Sequence, residues 1–91
     1  MRPTPPNDDL KLCVEKNIKF RITVRQMSGK RWEETGLPPL SLLKAAERVE
    51  DLDEPQVCIW AITKTGSGVQ YWKSEAPDLY NSSIFELKSL F

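Results

Sequence analysis

The stretch "IKFRITVRQMSGKRWEET", residues 18–35, decides how this chain folds. Ile18, Phe20, Ile22 and Val24 alternate with Lys19, Arg21, Thr23 and Arg25. Successive side chains of a strand leave opposite faces, so this period of two, rich in β-branched residues, predicts a strand with one buried and one wet face. Ser28 and Gly29 supply a turn, and "KRWEET" is expected to return beside the first strand as a hairpin.

Downstream of the hairpin, "GLPPL" breaks the pattern and Ser41 is placed to cap a helix. Leu42, Ala45, Ala46, Val49 and Leu52 recur at helical spacing and form one apolar stripe, which Pro55 terminates. "QVCIWAITK" follows, with Val57, Ile59 and Ala61 on one side and Cys58, Trp60 and Ile62 on the other. A strand apolar on both sides belongs in the middle of a sheet or under two covers. "TGSG" is its turn and "VQYWKS" its hairpin partner. Tyr71 and Trp72 are neighbours, so a regular strand sends them to opposite faces and leaves one at the surface or in a helix-lined groove. In "SSIFELKSLF", Ser83 and Glu86 match a capping box, and Ile84, Leu87 and Phe91 lie a turn apart on a short helix.

Upstream, "NDDLKLCVEKN" reads two ways. Asn7 as cap, Asp8 and Asp9 in the first turn and Lys16 in the last favour a short helix with Leu10, Cys13 and Val14 on one face. Leu10, Leu12 and Val14 also alternate as a strand would; the helix is the expectation adopted. "MRPTPP" cannot be helix or central strand, because proline lacks the amide donor and fixes φ. Residues 1–7 are therefore expected to be a flexible or extended Pro-rich arm, and residues 8–91 a single α+β domain. The order (α)-ββ-α-ββ-α predicts a mostly antiparallel four-stranded sheet packed against helices on one face. Its central ββαββ segment resembles a ubiquitin-type β-grasp in element order, a likeness of topology that implies no activity.

Composition narrows the function. The 91 residues carry 13 basic and 13 acidic side chains and no histidine. Without histidine there is no Ser-His-Asp or Cys-His nucleophile, no common neutral-pH base and no common zinc ligand. Cys13 and Cys58 lack metal or disulfide spacing and are expected to be buried thiols. "MSGK" and "TGSG" fit neither a Walker loop nor a dinucleotide fingerprint. No apolar run approaches the ~20 residues of a membrane span, and "MRPTPPNDDL" has no signal-like apolar core, so a cytoplasmic location is expected.

The charges are segregated. Residues 18–32 hold five positive side chains and no negative one. Lys19, Arg21, Arg25, Lys30, Arg31 and Trp32 are the candidate partner-binding set: cations on one strand face beside an aromatic can hold an anionic surface or stack on a base. Outward cations also serve simply to solvate a sheet and blunt its edge. Trp60 is expected in the core. Trp72, Ile84, Leu87 and Phe91 form a candidate second interface. Glu50, Asp51, Asp53 and Glu54 crowd a helix C-terminus, where the dipole disfavours them, but lack the spacing of a calcium loop.

Together these features lead to an expectation of a non-enzymatic small binding module, accessory, regulatory or inhibitor-like. It would engage a protein partner through the basic hairpin face, as a monomer or homodimer, without cofactor, metal or membrane. The alternative is a nucleic-acid binder using the same hairpin. A carboxylate-based enzyme using Glu33, Glu34 or the acidic helix end ranks third.

Overall fold

The alternation around Phe20 becomes a strand whose two faces meet different environments. In the computed structural model, which describes residues 3–25, 33–34, 38–52, 56–80 and 83–91, Phe20–Arg25 form β1. Ile18, Phe20 and Ile22 are buried, whereas Lys19 and Arg21 are exposed. A two-residue stretch, β2 (Glu33–Glu34), pairs antiparallel with β1, Thr23 opposite Glu34 and Val24 opposite Glu33. The Ser28–Gly29 turn falls outside the described residues.

The central helix, α2 (Leu42–Asp51), forms as its sequence dictates. Ser41 is the N-cap, its Oγ accepting from the Lys44 amide at 3.3 Å, and Leu42, Ala45, Ala46 and Val49 are buried. Pro55 lies outside the described residues.

β3 (Gln56–Ile62) is the inner strand. It pairs antiparallel with β1 on one side, Ile22 opposite Ile59 and Arg21 opposite Trp60. On its other side it pairs antiparallel with β4 (Gly68–Lys73). The hairpin turn holds Gly66 at φ +87°, a conformation that disfavours a side chain. Thr63 closes the turn, its amide donating to the Ser67 carbonyl at 2.8 Å. β1, β3 and β4 thus make a three-stranded antiparallel sheet, with Glu33–Glu34 paired on the free side of β1. Among the described residues every strand pairing is antiparallel.

The β3–β4 register overturns one expectation. Ile59 faces Trp72 and Trp60 faces Gln70, so Tyr71 is an extra residue on β4. Such a bulge breaks strict alternation. Tyr71 and Trp72 are consequently both buried, and neither reaches the surface. Each finds a partner for its polar tip, as buried Tyr and Trp require. The Trp72 indole donates to the Pro77 carbonyl at 3.0 Å, and the Tyr71 hydroxyl donates to Asp9 Oδ2 at 2.6 Å.

The N-terminal segment is helical: α1 spans Asn7–Glu15. Its N-cap is Pro6 rather than Asn7, and no side chain caps it. Its inward side carries Asp9, Leu12 and Cys13, while Val14, expected inside, is 81% exposed. The bond from Tyr71 to Asp9 helps set that rotation. α1 ends in a Schellman motif: Asn17 takes φ 53°, the Ile18 amide donates to the Cys13 carbonyl at 2.9 Å and the Asn17 amide to Val14 at 3.3 Å. Before the helix, Pro3 and Pro5 are buried, Pro6 is extended, and the Thr4 amide donates to the Tyr80 hydroxyl at 2.7 Å.

The C-terminal helix is shorter than its pattern suggests: α3 covers Ser83–Glu86, and a 3₁₀ turn follows at Lys88–Leu90. The Ser83 side chain of the expected capping box lies outside the described residues. One core unites α1, α2 and α3 with the sheet, joining Leu12, Leu42, Val49 and Ile84 to Phe20, Ile59 and Trp72. Each fully buried aliphatic or aromatic side chain of this kind contributes about 1.5–3 kcal/mol. Among the described residues, no helix is long and apolar enough to cross a membrane.

Candidate functional site

The helices cover one face of the sheet; the candidate site lies on the other. Residues directly opposite in an antiparallel pair share a face. Arg21, Trp60 and Gln70 therefore form one row across β1, β3 and β4, and Thr23, Cys58 and Lys73 form the next. Trp60 is half-buried, and its indole nitrogen donates to Thr23 Oγ1 at 2.8 Å, which pins the ring across the sheet. Gly68 lies beside it: a Cβ there would stand 3.5 Å from Trp60 Cε3, an ordinary contact. Arg21, Thr23, Trp60 and Gly68 line a shallow concavity of about 240 Å³.

The cationic set is only partly assembled here. Arg21 lines this concavity, but it has an interaction of its own and is not a free cation. The backbone register places Glu34 opposite Thr23. Lys19 is exposed and lines a different concavity at the end of the sheet, of about 200 Å³. Arg25 ends β1 opposite Gln56, its side chain outside the described residues, as are Lys30, Arg31 and Trp32 entirely.

The second candidate interface requires correction. Trp72 is 2% and Ile84 0% exposed, because the bulge turns the first inward and α3 docks through the second. Neither can touch a partner. Leu87 is exposed and Phe91 half-buried. The exposed apolar surface there keeps Leu87 and adds Leu90 and Phe85, the latter 58% exposed with the Lys88 ammonium 4.8 Å from its ring centroid.

Trp60 is what sequence reasoning missed. A strand apolar on both sides suggested burial, and nothing local shows that Thr23 and Gly68 would frame the ring on the open face. That depends on how β1 and β4 register against β3.

The remaining chemistry is quiet. Cys13 and Cys58 are free and buried. Burial, reinforced by the charge of Asp9, pushes the Cys13 thiol up to about 12. Burial likewise pushes Cys58 up to about 11, opposed by a hydrogen bond from Gln70 and by the charge of Lys73. Both thiols stay protonated near neutral pH, the opposite of what a nucleophile needs. Glu50 and Asp51 are exposed at the end of α2, and Lys44 and Glu47 make a 3.7 Å surface pair of the kind worth little to stability. Among the described residues, no group of three or more metal-ligating side chains comes together. Asp53 and Glu54 lie outside them.

No protein-family model matches this chain, and no curated protein and no solved structure matches it.

Proposed function

We propose that this chain is a non-enzymatic binding module that holds a protein partner against the outer face of its sheet. Its role would be accessory, regulatory or inhibitor-like, in the cytoplasm. The observation that carries this reading is the concavity framed by Arg21, Thr23, Trp60 and Gly68 opposite the helical layer. Tryptophan and arginine are the side chains most often dominant in binding energy. Trp60 is already held by Thr23, so little side-chain freedom remains to be lost on association. A four-stranded sheet, with Glu33–Glu34 as part of the returning strand, belongs to the same reading, since it makes β1 an inner strand and widens this face. Lys30, Arg31 and Trp32 would extend it along the hairpin.

The test uses the wild-type chain and an Arg21→Glu/Trp60→Ala variant as baits in native lysate, at low and physiological salt, with and without nuclease. The expected result is a set of proteins retained by the wild type after nuclease and lost by the variant, with circular dichroism unchanged. Identical retention by both baits removes this face from consideration.

One observation favours a second reading. Trp60 is half-open beside Arg21, the pairing that stacks a base and neutralises its phosphate. A nucleic-acid binder predicts capture that nuclease abolishes and that falls steeply as salt rises.

A further inference from the structure

Three lysines distant in sequence or in structural element surround one concavity at the end of the sheet. Lys16 is the C-cap of α1, Lys19 sits at the entrance to β1, and Lys64 lies in the turn after β3. All three are exposed and line the same concavity of about 200 Å³, together with the apolar residues Ile18, Ile62 and Phe91. Backbone bonds hold these segments in place. The Ile62 amide donates to the Lys19 carbonyl at 2.8 Å, the Lys64 amide to Leu90 at 2.7 Å, and the Schellman motif locks the end of α1. Among the described residues, no aspartate or glutamate side chain lines the concavity, and no ion pair engages these lysines.

We propose that this concavity binds a phosphate monoester, with the ammonium groups of Lys16, Lys19 and Lys64 around the phosphoryl oxygens and the carrier against the apolar residues. Lysine binds phosphate as a point charge and needs no bidentate geometry. The cavity is smaller than the ~300–1,000 Å³ of drug-sized ligand sites, which fits one compact, multiply charged group. An extended nucleic-acid backbone asks instead for cations spaced along a track. The site is separate from the Trp60 face and stands whether or not that face binds.

The test is a ¹H–¹⁵N titration of the full chain at two salt concentrations. Inorganic phosphate, a phosphoserine peptide, adenosine monophosphate and an oligodeoxynucleotide without terminal phosphates are the probes. Saturating shifts at amides 16–19 and 62–64 are expected with the monoesters. Affinity should weaken at least ~tenfold in Lys16→Gln/Lys64→Gln, the worth of one charge-assisted contact, and stay unchanged in Lys44→Gln. The relative affinity of the peptide and the nucleotide identifies the carrier. Absent or non-saturating shifts, equal weakening in Lys44→Gln, or tighter binding of the oligonucleotide than of either monoester would overturn the assignment. Lys19 is left unaltered in these variants, so the outcome does not bear on the outer-face reading.

Discussion

Removing one oxygen atom, in Tyr71→Phe, should separate α1 from β4 energetically while leaving the core packed. The Tyr71 hydroxyl donates to Asp9 Oδ2 at 2.6 Å across 62 positions of sequence. The ring is buried, with the Phe20 ring at 5.6 Å and the Tyr80 ring at 5.7 Å, and phenylalanine keeps both contacts. What is lost is a short hydroxyl-to-carboxylate bond, worth about 1.5–3 kcal/mol. Asp9 is only half-buried, so water recovers part of this and the lower end, about 1.5–2 kcal/mol, applies. Over 91 residues, an unfolding entropy of about 2.1 cal/mol/K per residue converts that loss into a Tm lower by about 8–10 °C. Urea denaturation of the wild type, Tyr71→Phe, Asp9→Ala and the double variant gives the coupling directly, expected at about 1.5–2 kcal/mol. A coupling below ~0.3 kcal/mol, the scatter of independent sites, would refute the idea that this bond joins the two elements.

The two glycines of the second hairpin, Gly66 in the turn and Gly68 at the start of β4, should respond with opposite sign. Gly68→Ala meets Trp60 only at ordinary contact distance and should stabilise by about 0.4–1 kcal/mol through the unfolded chain, whereas Gly66→Ala, at φ +87° in open space, should destabilise by about 1 kcal/mol. Urea midpoints check both, and the same sign for the pair would contradict the turn geometry. Stability should also decline in alkali. The thiols of Cys13 and Cys58, ordinarily near 9.0, are held protonated to about 12 and about 11, so the folded state keeps protons that the unfolded chain releases. Their contribution is complete below pH 9 and is lost as pH rises toward 11–12, with a slope of up to about 1.4 kcal/mol per pH unit for each thiol. Burial, then the bond to Asp9 and its charge, raises Tyr71 as well and adds to the decline above pH ~10. Denaturation midpoints from pH 8 to 10.5 should fall in the wild type and flatten in Cys13→Ala/Cys58→Ala; a flat wild-type profile would mean the thiols are not buried.

What sequence by itself determined was local. The alternation from Ile18 to Val24 specified a strand with Phe20 and Ile22 inward and Lys19 and Arg21 outward. Ser41 and the stripe from Leu42 to Val49 specified a capped helix and its buried side. These signals work because capping, helical spacing and strand alternation each involve residues within about four positions of one another. Only the tertiary structure decided that β3 lies beside β1 with Trp60 opposite Arg21, and that a bulge buries Tyr71 and Trp72 together. It alone decided that Lys16 and Lys64 share a concavity with Lys19. Register between strands far apart in the chain is set by which apolar faces can be buried at once, a competition among non-local contacts. Here Ile59 is fully buried on β3, opposite Ile22 on one side and Trp72 on the other, which leaves the next residue, Trp60, on the open face.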